Sequence, residues 1–120
     1  MDEPLDTLNL YRLRFFFDYG SGVCFWSAND AAYARFDYPI ESSKLSLSVA
    51  TQEAIEHLIE HYDRSLNWND PGGPGLWSRE EWQAFDTRVR QLLPVIRQEL
   101  GPEYEIIDEY RYIGELNYNS

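Results

Sequence analysis

The stretch Asn67-Trp68-Asn69-Asp70-Pro71-Gly72-Gly73-Pro74-Gly75-Leu76-Trp77 separates the two strongest helical patterns of the chain. It contains three of the seven glycines, two of the six prolines and two of the four tryptophans. Glycine and proline end helices, whereas asparagine and aspartate form hydrogen bonds to nearby backbone groups in turns. Tryptophan is too large to stay solvated in a loop without a partner. The stretch therefore predicts a loop that joins a pair of packed helices and folds over one end of them.

Apolar residues at helical spacing predict a long helix on each side of this loop. The first helix begins at Ser48 or Thr51, and its apolar face comprises Ile55, Leu58, Ile59, Tyr62 and Leu66. The second begins at the capping box Ser78-Arg79-Glu80-Glu81, and its apolar face comprises Trp82, Phe85, Val89, Leu92, Leu93, Ile96 and Leu100. Pro94 predicts a kink or break near Arg90–Leu93, because proline removes a helical hydrogen bond and clashes with the preceding turn.

Alternating apolar and polar residues predict strands near both ends of the chain. From residue 8 to residue 17 one face is apolar, while Arg12 and Arg14 lie on the other face. The turn Asp18-Tyr19-Gly20-Ser21-Gly22 leads into a returning strand, and so predicts a hairpin. A last strand between residues 103 and 112 is expected to pair with the first, where its acids would face the two arginines across the ladder.

These elements predict an α+β fold in which a small antiparallel sheet, made of the N-terminal hairpin and the C-terminal strand, packs against two long antiparallel helices. A short helix capped by Ser27 or Asn29 and an edge strand at residues 45–47 complete the prediction. A mainly helical domain with the hairpin as an appendage is the alternative. The whole chain of 120 residues is expected to form a single domain, with residues 1–6 and 114–120 as loose termini.

The chain is acidic, with 21 acidic and 10 basic residues and a formal net charge of −11. Nucleic acid and anionic lipid are bound by Lys and Arg that neutralise phosphate, so this charge opposes both partners. It favours a basic protein partner, or it serves solubility alone. Cys24 is the only cysteine, so no internal disulfide forms. With no signal peptide and no apolar run long enough to span a membrane, the predicted location is cytoplasmic.

The sequence His57-Leu58-Ile59-Glu60-His61 matches the H-x-x-E-H pattern of inverzincin metalloproteases. Two histidines four residues apart on a helix can ligate one zinc ion, with the glutamate as general base. Both histidines are predicted to point away from the apolar face of their helix, toward water, where no sheltered cavity forms. We therefore predict no metal, no cofactor and no catalytic residue, with a small zinc hydrolase that uses His57, Glu60 and His61 as an alternative.

Two groups of residues are candidates for binding a protein partner. The first is the loop set Trp68, Asp70 and Trp77, because tryptophan is a frequent interface anchor. The alternative for the tryptophans, with Trp82, is a local core that holds the loop onto the helix pair. The second set is acidic and comprises Glu103, Glu105, Asp108 and Glu109. Such acids form either a solvated face or a docking surface whose charge attracts a basic protein.

Three segments carry a resemblance to known proteins. They are Phe17-Asp18-Tyr19-Gly20-Ser21-Gly22, Cys24-Phe25-Trp26-Ser27 and the segment from Ser65 to Pro74. In these segments the chain resembles small bacterial proteins of the kind that act as immunity partners of polymorphic or contact-dependent toxins. The resemblance implies a cytosolic protein that binds and blocks a cognate toxin, often a basic nuclease, and it assigns no site residue.

Composition and resemblance together predict an acidic, non-enzymatic inhibitor of the immunity type that neutralises a basic toxin. An adaptor or homo-oligomeric structural protein that associates through the aromatic loop is the main alternative. The oligomeric state is left open by the sequence.

Overall fold

The computed structural model describes residues 10–115, in which four strands and three helices occur. The strands are β1 (Tyr11–Phe15), β2 (Phe25–Ser27), β3 (Pro39–Ile40) and β4 (Tyr104–Asp108). The helices are α1 (Asp30–Phe36), α2 (Val49–Asp63) and α3 (Arg79–Leu100), with 3-10 turns at Ser42–Lys44 and Ile113–Glu115. The predicted α+β class is confirmed. The predicted architecture of two long antiparallel helices over an antiparallel sheet is matched only in part, because α1 also packs on the strands and the sheet is mixed.

The sheet has the strand order β3-β2-β1-β4. β1 and β2 form the predicted antiparallel hairpin, but β4 runs parallel to β1, so the expectation of an antiparallel sheet is wrong. The predicted pairing of the two strands is confirmed: Arg12 Nε lies 2.7 Å from Glu105 Oε1, and Arg14 Nη2 lies 2.8 Å from Glu109 Oε1. Complementary charges indicate which strands pair, whereas direction depends on the connection, and a parallel pair requires a long crossover.

The edge strand expected at residues 45–47 lies instead at Pro39–Ile40, which pairs with β2. Leu45 and Leu47 are buried in a segment without strand structure that follows the first 3-10 turn. Leucines at alternate positions can be buried both in a strand and in an irregular segment, so their spacing did not distinguish the two structures.

All three helices begin at residues whose side chains cap them. Asn29 accepts a hydrogen bond from the amide of Ala32 at the start of α1, and Ser48 accepts one from Thr51 at the start of α2. The predicted capping box of Ser78 with the glutamate three residues later is present at the start of α3. Capping side chains satisfy amides that have no partner within the helix, so these starts are specified locally.

Of the kink or break expected near Arg90–Leu93, the break does not occur, because α3 continues through Pro94 to its end at residue 100. Pro94 lies on the exposed side of α3, whereas Leu93 and Ile96 are buried in the core. An internal proline costs a helix about 3 kcal/mol. Each large aliphatic side chain that is buried contributes roughly 1.5–3 kcal/mol, so packing on the opposite side keeps the helix continuous.

The core is centred on the fully buried ring of Phe85 in α3. Its centroid lies 5.4–6.2 Å from the rings of Phe17, His61, Tyr62, Trp77, Trp82 and Tyr110. Several of these contacts have the edge-to-face geometry that aromatic pairs favour. The ring of Phe85 therefore connects the segment that follows β1, α2, the loop between α2 and α3, and the segment that follows β4.

The segment after β4 packs against α3, so residues 114 and 115 are not part of a loose terminus as expected. Gly114 is buried so close to α3 that a Cβ atom there would lie 2.3 Å from the backbone nitrogen of Gln83. Glu115 forms an ion pair with Arg90. The rest of the predicted loose termini, residues 1–6 and 116–120, lies outside the described residues.

The carboxyl group of Asp86 in α3 is buried beneath this segment. Its Oδ1 accepts a hydrogen bond from the Tyr110 hydroxyl at 2.5 Å, and the backbone amides of Gly114 and Glu115 lie close to the carboxyl group. Burial raises the pKa of Asp86, and the hydrogen bond from Tyr110 opposes that shift. The folded protein therefore holds this proton to a higher pH than the unfolded chain does. The contribution of the group to stability falls as the pH rises from its unfolded pKa through its folded pKa.

We expect Asp86→Asn to become progressively more stable relative to the wild type as the pH rises from about 4 to about 7. An asparagine at this position does not ionise, yet its Oδ1 still accepts the Tyr110 hydrogen bond. Urea unfolding at several pH values measures the difference in free energy of unfolding between the two proteins. Asp70→Asn, which changes an exposed carboxylate, is the control. A difference between Asp86→Asn and wild type that stays constant across this range contradicts the prediction.

Candidate protein-binding surface

An exposed tryptophan side chain lies where the loop between α2 and α3 meets the turn after β1. The side chain of Trp68 is 55% exposed, yet its Nε1 donates to the backbone oxygen of Asp63 at 2.8 Å and its ring packs edge-on against Tyr19. Leu76 in the same loop is 61% exposed, and Asp70 between them is exposed as well. We call Tyr19, Trp68, Asp70 and Leu76 the loop surface.

Hydrogen bonds hold this loop to the hairpin turn. Ser65 is buried, and its Oγ donates to the backbone oxygen of Tyr62 at 2.7 Å. Because that bond uses the only hydroxyl proton of Ser65, the Tyr19 hydroxyl is the donor in their mutual contact at 2.8 Å. The amide of Gly20 donates to Asp63 Oδ1 at 3.1 Å. The aromatic groups of the loop surface are therefore ordered before any partner arrives.

The amino acids of the loop account for its local shape. The Oδ1 atom of Asn67 accepts a hydrogen bond from the amide of Asn69 at 3.1 Å. The backbone oxygen of Asn67 accepts one from the amide of Asp70 at 3.0 Å. Asparagine is favoured in turns for this ability to bond nearby backbone groups. The amide of Leu76 then donates to the backbone oxygen of Ser65 at 2.8 Å, which closes the loop near the end of α2.

The second tryptophan of the loop has a different environment. Trp77 is half-buried, and its ring centroid lies 4.7 Å from that of His61, 4.7 Å from Trp82 and 5.4 Å from Phe85. Trp77 and Trp82 thus form the local core that holds the loop onto the helix pair. Of the two loop tryptophans predicted to contact a partner, Trp68 presents the larger free surface.

Three of the four predicted C-terminal acids already have partners within the protein. Glu105 and Glu109 pair with the arginines of β1. Asp108 accepts hydrogen bonds from the Tyr112 hydroxyl at 2.5 Å and from the amide of Tyr110 at 3.1 Å. Glu103 is exposed. Exposed ion pairs are screened by water and add little stability, but each one cancels charge that would otherwise attract a basic partner.

A second concentration of acids, which was not among the predicted site residues, lies along α2. A groove of about 550 Å³ between α2 and the first 3-10 turn is lined by the four acidic side chains of Glu41, Glu53, Glu56 and Glu60. Ser42 Oγ donates to Glu56 Oε2 at 2.9 Å. We call this set the acidic groove. The three helical acids recur at intervals of three and four residues, which places them on one face of a helix, and this spacing was the available signal in the sequence.

The two histidines of the H-x-x-E-H pattern differ in environment. His57 is exposed, but His61 is half-buried against Trp77, which corrects the expectation that both point toward water. The His61 Nδ1 atom lies 2.8 Å from Nη1 of Arg88. Burial, followed by the nearby charge of Arg88, lowers the pKa of His61, so the neutral imidazole accepts this hydrogen bond. Within residues 10–115 no three His, Cys, Asp or Glu side chains are placed to hold a metal ion.

No helix among the described residues combines the length and the apolar character that spanning a membrane requires. In a family comparison, residues 11–110 match the model of a family described as Serratia CdiI immunity protein-like. The matched region includes both the loop surface and the acidic groove. A comparison with curated proteins gave no significant match.

Proposed function

Because this chain belongs to the Serratia CdiI immunity protein-like family, we propose that it is an immunity protein that binds one cognate toxin and blocks its activity. The inhibition is non-enzymatic and takes place in the cytoplasm. A single buried cysteine and no disulfide suit that reducing compartment.

The loop surface is the proposed contact site, and the environment of Trp68 is the observation that carries this assignment. Its indole is more than half exposed and is held by a hydrogen bond and by an aromatic contact. Tryptophan is enriched among the residues that dominate binding energy. A side chain that is already immobilised loses little conformational entropy when a partner covers it. Leu76 and Asp70 add apolar area and charge beside it.

The proposed toxin is basic. The chain carries a net charge of −11, and the acidic groove concentrates four carboxylates in one concave region. By contrast, Glu105 and Glu109 are paired with arginines. Attraction between opposite charges raises the association rate, and the effect weakens as salt increases. The acidic groove is therefore a stronger source of attraction than the C-terminal strand.

We expect the triple variant Glu53→Gln, Glu56→Gln and Glu60→Gln to associate with the toxin about tenfold more slowly than wild type at low salt. The matched control carries Asp30→Asn, Asp37→Asn and Glu80→Gln, which remove the same number of exposed charges outside both candidate surfaces. Stopped-flow or surface binding measurements across salt concentrations separate the two variants. Equal association rates for the two variants would show that the acidic groove does not attract the toxin.

The proposed function itself is tested by the wild-type chain. Co-production with the cognate toxin should restore growth of the producing cells, and the purified chain should bind the purified toxin and abolish its activity. A wild-type chain that neither binds nor inhibits the toxin would overturn the proposal. Self-association in light scattering under those conditions would then favour the homo-oligomeric alternative.

A further inference from the structure

We propose that Arg64 and Arg88, at the junction of α2 and α3, bind a carboxylate side chain of the toxin. The inference rests on the proposed function and refines it, since it requires the basic partner to present an acidic residue at a defined place. We call the cavity that these residues line with His57, Glu60 and His61 the arginine pocket.

The arginine pocket is a concave site of about 340 Å³. One guanidinium is oriented in advance, because Arg88 Nη1 donates to His61 Nδ1 at 2.8 Å. His61 is in turn fixed by the rings of Trp77 and Phe85. An arginine whose orientation is already set loses less freedom when it forms a paired hydrogen bond with a carboxylate.

The charges of both arginines are available to a partner. Arg12, Arg14 and Arg90 form ion pairs with glutamates. Arg64 and Arg88 are exposed and belong to none of them. Arg64 also ends α2, where its backbone amide bonds to helix carbonyls, but that role leaves the guanidinium donors free. Both guanidiniums line one cavity, together with the carboxylate of Glu60, which forms an ion pair with neither of them.

The surroundings of the arginine pocket favour a carboxylate over a phosphate polymer. His57 and Arg88 also line an adjoining cavity of about 270 Å³, which is otherwise formed by Ala54, Leu58, Gln91 and Leu92. An Asp or Glu side chain offers a single planar carboxylate on a short aliphatic stem, which suits a polar pocket beside an apolar one. A nucleic acid extends beyond one pocket, and Glu53 and Glu56 of the neighbouring acidic groove would repel its repeated negative charges.

The arginine pocket and the acidic groove share His57 and Glu60 and so lie side by side along the exposed face of α2. A matching partner therefore presents a basic group opposite Glu53 and Glu56, and a carboxylate opposite Arg64 and Arg88. Adjacent regions of opposite charge fix the register of two surfaces, because a shifted arrangement would bring like charges together.

Calorimetry with the full chain and its toxin tests this assignment. We expect Arg64→Gln and Arg88→Gln each to weaken binding about tenfold. Arg111→Gln, which removes an exposed arginine outside the arginine pocket, should bind as the wild type does. Arg88→Lys keeps the charge but loses the planar fork, so its affinity should fall between those of the wild type and Arg88→Gln. Tight wild-type binding that neither glutamine variant weakens would overturn the inference and leave the proposed function standing.

A second measurement needs no toxin. Acetate added at constant ionic strength should shift the NMR signals of the His57 and His61 rings in the wild type, and less so in the double variant Arg64→Gln, Arg88→Gln. If acetate shifts neither histidine signal in the wild type, the arginine pocket is not a carboxylate site, even if the toxin is bound elsewhere. A larger response to inorganic phosphate than to acetate would overturn the carboxylate assignment in favour of a phosphate site.

Discussion

Trp68→Ala is expected to weaken toxin binding about 100-fold, which corresponds to roughly 2.7 kcal/mol. The indole is more than half exposed and is held in place by Asp63 and Tyr19, so a partner buries its exposed apolar area with little loss of entropy. Removing it should lower the free energy of unfolding by only about 1 kcal/mol, the value of one hydrogen bond. Calorimetry with the toxin and urea unfolding of the free chain measure the two effects separately.

Two further variants give this experiment its controls. Tyr33 is an aromatic residue of similar exposure, 50%, that lies on α1, and Tyr33→Ala should leave toxin binding within about twofold of wild type. Trp68→Phe retains a ring but loses the hydrogen bond to Asp63, so its affinity should be intermediate. If Trp68→Ala and Tyr33→Ala bind equally well, the loop surface is not the contact site.

Phe85→Ala is expected to lower the free energy of unfolding by about 4 kcal/mol. Its ring is fully buried and contacts six other rings, so the substitution removes a large apolar area and leaves a cavity. Domains of this size are typically stable by only about 5–15 kcal/mol. Urea unfolding followed by tryptophan fluorescence measures the loss, since Trp77 and Trp82 contact the deleted ring.

A smaller substitution keeps this prediction testable if the alanine variant does not fold. Phe85→Leu fills most of the space and should cost about 1–2 kcal/mol. Val95→Ala, at an exposed position of the same helix, should cost no more than about 0.5 kcal/mol. Because Trp77 joins the loop to Phe85, the leucine variant should also weaken toxin binding slightly. A Phe85→Ala variant as stable as Val95→Ala would show that the aromatic core is not organised around this ring.

Local signals in the sequence determined where most elements begin and which residues face the core. The capping serines, the glycine-containing hairpin turn and the apolar spacing of α2 and α3 each act within a few residues, so their effect can be predicted without the rest of the chain. The charge match between the arginines of β1 and the acids near β4 acts over a long sequence separation, but the charges are visible in the sequence and they predicted which strands pair. Strand direction, the continuity of α3 through Pro94 and the ordered segment at Gly114 were not predicted, because each depends on packing between distant segments.

The candidate site divides in the same way. The residue pattern alone predicts that a tryptophan-rich loop joins the two long helices, and composition alone shows that the protein is strongly acidic. Which loop tryptophan is buried depends on the packing of distant segments: the rings of His61, Trp82 and Phe85 converge on Trp77, so it joins the core while Trp68 stays exposed. The tertiary structure also decided which charges are free. Arg12 and Arg14, far away in the sequence, neutralise Glu105 and Glu109, whereas the acids along α2 line an open groove.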